Sequence, residues 1–508
     1  MPSVRAERPG AAALLGWLTD PEAPRLCLVT EAPGLLDWLA GQTPRAAGRR
    51  RTTRALVPLT GQSALGAAWA IASHLGVVAA SPADLVHVLA TTEPGRTPRT
   101  ILLLPALHEA AEPTRIAELL RDLATQGRIR IVVETRETTP EQAILTASRA
   151  TVIDAEQHEP PPSPPAQEEH LPDLSDPTAV VTADPYRVTA GYVREADDEH
   201  GGLRPAWLRA GQALCAAATP ADRALALLTS LGDGADPRIA PALEEAARPA
   251  PWKVRWTRVT GDVTPPWPGP IAALAVQGGT VLAADRTGTV HLLNAADAHP
   301  RGRLVHPVRG RVTALAPTPD GTVLLLDERG RLHPVPGTAP RPPYLQRLTE
   351  AVAATLTRHP GTALAAIQGS VIVGDRLGSV HAFGLTGLHQ AAPHSGRVTA
   401  VAAVESETPF VCSGGIDGTV RRWIPGEDPD PTPLAERPSP VVALHAAETP
   451  YGPFVAMAWA DGTVQLHGPE GNRTFRPGPP VRAVAVTPDA ALLIGMDESL
   501  TLLDRTTG

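Results

Sequence analysis

The sequence predicts a multidomain chain: an α/β domain with a parallel sheet, a small helical region and a C-terminal all-β propeller. Apolar runs alternate with helical stretches in the first third, and prolines concentrate near residue 160. A turn phrase then recurs at intervals of roughly 35–50 residues, the period of propeller blades. At 508 residues, the chain is also too long for one hydrophobic core. The predicted boundaries are 1–155 for the α/β domain, 156–178 for a proline-rich linker, 179–250 for the helices and 251–508 for the propeller.

The first domain alternates short apolar strands with helices. The predicted strands are 26–29, 55–59, 100–104, 129–133 and 151–153, and the helices between them are 35–40, 64–75, 114–125 and 140–149. Such alternation favours a parallel sheet that is covered on both faces. Prolines near several starts in the region 179–250 favour helices there, since the first turn does not need the missing N–H.

Three segments of this domain resemble nucleotide-binding motifs. Val29-Thr-Glu-Ala-Pro-Gly34 with the apolar helix after it resembles a phosphate loop, and Ile101-Leu-Leu-Leu-Pro-Ala-Leu-His-Glu109 resembles the acidic second motif. Val132-Val-Glu-Thr-Arg136 resembles the strand that ends in a sensor arginine. Over about residues 10–155 the chain therefore resembles the STAND branch of P-loop NTPases, which bacteria often fuse to propellers. The resemblance implies a vestigial nucleotide pocket formed by Gly34, Glu109 and Arg136.

The groups that catalyse phosphoryl transfer are missing from these motifs. A working phosphate loop needs glycines, a lysine for the phosphate charge and a hydroxyl for Mg²⁺. Here Leu35 follows Gly34 directly, the chain has a single lysine, Lys253, and Pro105 stands where the resemblance implies the Mg²⁺ aspartate. Loss of even one donor at such sites costs about 10²–10³ in rate. We therefore predict a pseudo-NTPase that is not an enzyme, with no catalytic residue and no cofactor. His108 and Glu109 are then loop residues, although they could instead act as a metal ligand and a base.

The propeller prediction depends on a repeated turn. Asp-x-x-Gly or Asp-Gly between two apolar runs is a hairpin signal, because glycine accepts the positive φ of a tight turn. The copies, the last of which has lost its glycine, begin at Asp285, Asp327, Asp375, Asp417, Asp461 and Asp497. Six copies favour six blades, with 335–361 as a degenerate seventh in the alternative. The last copy lacks an outer strand, which we expect residues 252–259 to supply by closing the ring.

One repeat resembles the WD-repeat family closely. His394-Ser-Gly-Arg-Val-Thr-Ala-Val401 resembles the opening of that repeat, and Trp423 ends a strand at the family's tryptophan position. The other copies mostly lack the tryptophan, so the propeller is WD-like. A quinoprotein-like propeller is the alternative, since Gly288-Thr-Val-His-Leu-Leu-Asn294 resembles that repeat. We expect the turn aspartates to be turn residues and His306 and His394 to hydrogen-bond within their blades.

Composition narrows the function. A net charge of −8 argues against general nucleic-acid binding, and 3% aromatic residues are too few for stacking platforms. The sequence contains no Cys-x-x-Cys and no histidine pair at helical spacing, so we predict no metal site. It also lacks an apolar run of about 18 residues, which predicts no membrane span. Cys27, Cys215 and Cys412 are predicted to be free thiols of a cytoplasmic protein. Near-exclusive use of arginine over lysine resembles a GC-rich, actinobacterial-type bacterial genome.

These observations predict a non-catalytic, cytoplasmic scaffold whose protein partner binds a propeller face. Homo-oligomerisation is left open. The first alternative is a nucleotide-binding switch without efficient hydrolysis, and the second is a quinoprotein-like redox propeller. The basic run at 49–54 is expected to be a solvated loop.

Overall fold

The structure is a computed structural model that describes residues 10–30, 34–41, 52–91, 99–154, 171–261, 267–337, 342–367, 369–385 and 387–506. Residues 31–33 of the phosphate-loop-like segment, 49–51 of the basic run and 155–170 of the proline-rich linker lie outside the described residues. Contacts divide the chain into two compact units, Met1–His200 and Gly201–Gly508.

The first unit contains a five-stranded sheet with helices. Its elements are α1 (Ala11–Thr19), β1 (Leu26–Thr30), α2 (Leu35–Gly41), β2 (Thr52–Leu56), α3 (Ala64–Leu75), α4 (Pro82–Thr91), β3 (Arg99–Leu104), a 3₁₀ turn (Leu107–Glu109), α5 (Pro113–Ala124), β4 (Ile129–Thr135), α6 (Pro140–Thr146), β5 (Thr151–Asp154), α7 (Pro177–Thr182) and α8 (Pro185–Arg194). All strands are parallel in the order β2-β3-β4-β1-β5, which confirms the predicted α/β sheet.

Both faces of this sheet are covered. Trp17 of α1 and Leu36 of α2 pack on one face, while Ile71 of α3 and Leu120 of α5 pack on the other. Because helices lie on both sides, the central strands are almost wholly apolar, as expected for a buried parallel sheet. The helix α4 was not among the predicted elements.

The second unit begins with short helices and continues as six antiparallel sheets. A 3₁₀ turn at His200–Gly202 crosses the division between the units and precedes α9 (Leu203–Ala210), α10 (Gln212–Ala216), α11 (Pro220–Leu228), α12 (Ile239–Ala246) and the strand β6 (Trp252–Val259). Blade 1 contains β7 (Ile271–Gln277), β8 (Thr280–Asp285), β9 (Val290–Asn294) and β10 (Pro300–Leu304); blade 2 contains β11 (Val312–Pro317), β12 (Val323–Asp327) and β13 (Leu332–Val335), followed by α13 (Pro343–Arg358). Blade 3 contains β14 (Ala363–Ile367), β15 (Ser370–Gly374), β16 (Val380–Gly384) and β17 (Gly387–Ala391); blade 4 contains β18 (Val398–Val404), β19 (Phe410–Gly415), β20 (Thr419–Trp423) and β21 (Ala435–Glu436). Blade 5 contains β22 (Val441–Thr449), β23 (Gly452–Trp459), β24 (Val464–Gly468) and β25 (Gly471–Phe475), and blade 6 contains β26 (Val481–Val486), β27 (Leu492–Met496) and β28 (Ser499–Arg505).

The six sheets close into a ring. The first strand of each blade contacts the first strand of the next, and β26 of the last blade contacts β7 of the first. Strand β6 pairs antiparallel with β28 as the outer strand of blade 6. From β6, Trp256 donates its indole N–H to the carbonyl of Ala295 in blade 1 at 3.0 Å. The strands of the second unit therefore form a six-bladed β-propeller.

The alternative of a seventh blade at 335–361 is wrong. Helix α13 lies there, with Val352 and Leu356 buried against Leu326 and Leu332 of blade 2. In the described part of blade 2 the sheet has three strands, and α13 contacts its outer strand β13. An apolar side chain every fourth residue (Leu348, Val352 and Leu356) explains why a helix forms here instead of a hairpin.

None of the described helices is long and apolar enough to cross a membrane. The three cysteines are free, and burial raises the pKa of the Cys27 and Cys412 thiols to about 12. At neutral pH these two thiols are therefore protonated and inert.

Candidate functional site

The first place to look for a ligand is the edge of the sheet where β1 and β4 end. The connection from β1 to β2 passes β4 and β3, and the connection from β4 to β5 passes β1, so the two connections run in opposite directions along the sheet. In open α/β sheets, ligands bind outside the carboxyl ends of the strands. The three predicted pocket residues follow β1, β3 and β4 in the sequence, and thus belong to this edge.

Gly34 immediately precedes α2. It has φ of 73°, in the left-handed region, and its carbonyl accepts the N–H of Trp38 at 3.1 Å. Leu35 and Leu36 follow at once and are buried in the core beside the sheet. The positions where a phosphate loop would present a lysine and a hydroxyl are thus occupied by core side chains.

Glu109 ends the 3₁₀ turn after β3. One carboxylate oxygen accepts the hydroxyl of Thr60 at 2.9 Å, and the other lies 3.8 Å from Nε2 of His108. Its backbone carbonyl accepts the N–H of Gly61 at 2.9 Å. Glu109 therefore helps to fix the loop after β2, which is a structural role.

The structure adds Glu134 of β4, which sequence reasoning did not single out. Its buried carboxylate accepts the backbone N–H of Ala106 at 3.1 Å. Burial raises the pKa of Glu134, the Ala106 N–H and His108 oppose this shift, and the nearby charges of Glu109 and Asp37 raise the pKa further. Asp37 and Glu109 are therefore near enough to Glu134 for their charges to act on its carboxyl. A carboxylate directly after the apolar run Ile131–Val133 was the available sequence signal.

Arg136 lies just beyond β4 and is exposed. Its carbonyl accepts the hydroxyl of Thr139 at 3.0 Å, while its guanidinium makes no hydrogen bond or ion pair with another described residue. The structure thus brings Glu109, His108 and Glu134 together but does not pair Arg136 with Glu109.

The repeated turns of the propeller carry a second constellation. In blades 1–3, one oxygen of the turn aspartate accepts the backbone N–H groups two and four residues later. The other oxygen accepts Nε2–H of the histidine six residues later, in the pairs Asp285–His291 at 3.0 Å, Asp327–His333 at 2.9 Å and Asp375–His381 at 3.0 Å. Burial acts to raise the pKa of each aspartate, but these hydrogen bonds outweigh it and the pKa is lowered. The sequence signal was Asp-x-x-Gly-x-(Val/Leu)-His, repeated three times.

In blade 4, the histidine that binds the turn aspartate comes from a different position in the sequence. His394 donates from Nδ1 to Asp417 at 3.1 Å, and its Nε2 lies 2.9 Å from the hydroxyl of Ser413. Burial opposes the shift, yet the His394 hydrogen bond and charge hold the pKa of Asp417 far below its ordinary value. Trp423 is buried and donates to the carbonyl of Glu427 at 2.9 Å. The predicted hydrogen bonding of His394 within its blade is confirmed, whereas Nδ1 of His306 is buried without a partner in the described structure.

Arginines take the place of histidine in blades 5 and 6. Arg437 binds Asp461 at 2.8 Å and lies over the ring of Trp459. Arg482 binds Asp497 at 2.7 Å, and Arg286 of blade 1 binds the same carboxylate at 2.5 Å. The turn aspartates of all six blades therefore have a basic partner inside the propeller.

The first strands of the blades enclose a central channel of about 500 Å³. Its wall is largely alanine: one ring consists of Ala273, Ala314, Ala363, Ala400, Ala443 and Ala483. Two residues further along each strand, five blades have alanine and blade 5 has His445. The Nδ1 atom of His445 accepts the N–H of Val486 at 3.1 Å, and enclosure by the wall lowers the pKa of the ring to about 4. The channel therefore has one neutral imidazole in a wall that also includes Glu405, Glu448 and Arg482.

Among the described residues, no group of three or more His, Cys, Asp or Glu side chains could hold a metal ion. The turn carboxylates are separated from blade to blade, and each is bound to its own protein donors. Their geometry is that of turn residues.

These features define a protein with an α/β unit and a six-bladed, WD-like β-propeller. Neither a protein-family model nor a curated protein sequence matches the chain. Among solved structures, the WD40 β-propeller domain of Doa1 is similar over 51% of this chain and 98% of its own, at 11% identity and a TM-score of 0.35. The β-propeller domain of Cps50 (Swd1) from Myceliophteria thermophila is similar over 49% of this chain and 100% of its own, at 12% identity and a TM-score of 0.36. The computationally designed Ika8 protein is similar over 45% of this chain and 68% of its own, at 22% identity and a TM-score of 0.28.

Proposed function

We propose that this protein is a non-catalytic, cytoplasmic scaffold, in which a pseudo-NTPase domain is joined to a propeller that binds a protein partner. The observation that carries the proposal is the hydrogen bond from Ala106 N–H to the Glu134 carboxylate. Backbone N–H groups at the ends of strands are the donors that could otherwise face a phosphate. Here that donor is bound to a carboxylate, with two further carboxylates close by.

Electrostatics argue against a triphosphate at this edge. Asp37, Glu109 and Glu134 would repel the phosphates, and the charge of His108 opposes the rise in the pKa of Glu134. Phosphoryl transfer depends on positioning and on positive charge that stabilises the transferring group. The edge has the opposite sign, so neither hydrolysis nor tight nucleotide binding is expected from it.

The propeller supports the binding half of the proposal. Its loops stand on a closed ring of sheets whose turns are fixed by buried aspartate hydrogen bonds. Loops positioned by a rigid scaffold are the usual place for binding residues. The channel and the loop-bearing rim, and not the sheet of the first unit, are therefore the surfaces assigned to a partner.

The test is capture of a partner by the full-length chain from the native host, followed by hydrogen exchange of the purified complex. Hydrogen exchange is preferred to amine-directed cross-linking because Lys253 is the single lysine of the chain. We expect a stoichiometric partner that protects amides within residues 267–506. Protection confined to residues 10–200, or the absence of a stoichiometric partner, would overturn the proposal.

A further inference from the structure

One side of the propeller carries unpaired positive charge. The antiparallel blades place the turn between the second and third strands on the same side as the segment that leads into the first strand of the next blade. Hydrogen bonds show this adjacency: Gly361 N–H, before blade 3, donates to the carbonyl of Gly330 in the turn of blade 2, and Val398 N–H of blade 4 donates to that of Asp375 in the turn of blade 3. Exposed arginines occupy these turns and segments in blades 1–4. We call Arg309, Arg311, Arg329, Arg376 and Arg397 the arginine rim.

The arginine rim has an acidic neighbour, Glu328, whose carboxylate lies against Gly310, between Arg309 and Arg311. None of its five guanidinium groups makes an ion pair or a side-chain hydrogen bond with another residue that the structure describes. The reason lies in the turns beneath them, where the aspartates of blades 2 and 3 are already bound by His333 and His381. On blades 5 and 6 the arginines at this level, Arg437 and Arg482, are neutralised by turn aspartates. The Asp–His pairs thus leave the rim arginines available to an external anion.

Apolar side chains accompany this charge. Leu377, next to Arg376, is 85% exposed, and Val305, at the start of the segment that contains Arg309, is 89% exposed. An aliphatic group beside guanidinium groups suits a peptide in which acidic and apolar residues are mixed. A nucleic acid would instead gain from aromatic stacking, and the large apolar side chains exposed here are aliphatic.

We infer that the arginine rim binds an extended, acidic segment of a protein partner, whose carboxylates pair with the rim arginines and whose apolar residues contact Leu377 and Val305. This inference rests on the proposed function and specifies its partner. Arginine forms two parallel hydrogen bonds with a carboxylate, which gives such a contact direction as well as charge. An arc of arginines on successive blades matches a segment that runs along the rim.

The test uses the full-length protein and a labelled synthetic peptide of repeated Glu-Leu-Asp units, with binding followed by fluorescence anisotropy. We expect the peptide to bind and the affinity to fall as salt is raised, since exposed charges are screened. The double variant R329E/R376E should weaken binding by about tenfold, the effect of losing two exposed pairs and adding repulsion. The control R303E/R347E makes the same change of charge at exposed positions of β10 and α13 and should leave the affinity within about twofold.

Three outcomes would overturn the inference. In the first, the acidic peptide does not bind. In the second, R329E/R376E binds the peptide as tightly as wild type does. In the third, a single-stranded DNA of the same charge binds more tightly than the peptide, and R329E/R376E weakens its binding. The proposed function is tested separately. A native partner that protects propeller amides away from the arginine rim would support the scaffold proposal and contradict the rim inference. Circular dichroism of both double variants should match wild type, since all four side chains are exposed.

Discussion

His333 donates from Nε2 to Asp327 at 2.9 Å, and the same carboxylate accepts the backbone N–H groups of Arg329 and Arg331. One side chain thus holds a turn and joins it to the next strand. The arrangement recurs with the same spacing in blades 1 and 3. It makes these turns rigid, and it removes the carboxylate that could have neutralised the rim arginines.

Replacement of Asp327 by asparagine should destabilise the protein by about 1–3 kcal/mol at neutral pH, because a charged acceptor of several hydrogen bonds is lost. The folded pKa of Asp327 is lowered, so its stabilisation is present above the unfolded pKa of about 3.9 and disappears as pH falls through the folded value. The free energies of unfolding of wild type and D327N should therefore become equal in acid. Urea unfolding at several pH values measures this, with D428N, at an exposed position, as the control. Equal stability of wild type and D327N at pH 7 would contradict the account of the turn.

Trp256 should be a main determinant of ring closure. Its indole is buried between blades 6 and 1 and donates to Ala295. Truncation to alanine should cost about 3–5 kcal/mol, the usual range for a buried aromatic side chain. Thermal unfolding of W256A compared with K253A, an exposed position on the same strand, tests this prediction. Equal melting temperatures of W256A, K253A and wild type would contradict the role of Trp256 in ring closure.

His445 should make the propeller sensitive to mild acid. Enclosure lowers its pKa to about 4, below the unfolded value of about 6.5, so the unfolded chain binds a proton between these values and the folded chain does not. Stability should consequently fall as pH drops from about 6.5 towards 4. His445→Ala, which restores the alanine of the other five blades, should flatten this dependence. Parallel slopes of unfolding free energy against pH for both proteins would show that His445 is not the responsible group.

Glu134 gives a matched pair of variants at the sheet edge. Glu134→Gln keeps an acceptor for Ala106 N–H and removes a buried charge whose pKa is raised by burial. It should therefore be neutral or stabilising at pH 7. Glu134→Ala leaves that N–H without its partner and should cost about 1–3 kcal/mol. Chemical unfolding of both variants checks the order, and a glutamine variant less stable than the alanine variant would refute this explanation.

The sequence was sufficient to predict the α/β sheet and the propeller, but it predicted few of the contacts that form the candidate sites. The turn aspartates predicted the six hairpins because a positive-φ glycine and flanking apolar runs are local signals. The role of Glu134 depends on Ala106, which the fold brings to it from 28 residues away, and no local pattern encodes that contact. Helix α13 was not predicted, although Leu348, Val352 and Leu356 have helical spacing, because the only structure considered for 335–361 was the alternative of a degenerate seventh blade. The spacing of the repeats already contained the signal for the Asp–His pairs. Only the structure shows that the rim arginines are left without an ion-pair partner among the described residues.

Isothermal titration of the purified chain with ATP and Mg²⁺, together with an assay of phosphate release, tests the central claim most directly. An acidic edge with core leucines after Gly34 should give no saturable heat and no release of phosphate above that of buffer. Micromolar binding that is lost in Gly34→Glu, or measurable turnover of ATP, would contradict the claim that the first unit is a scaffold.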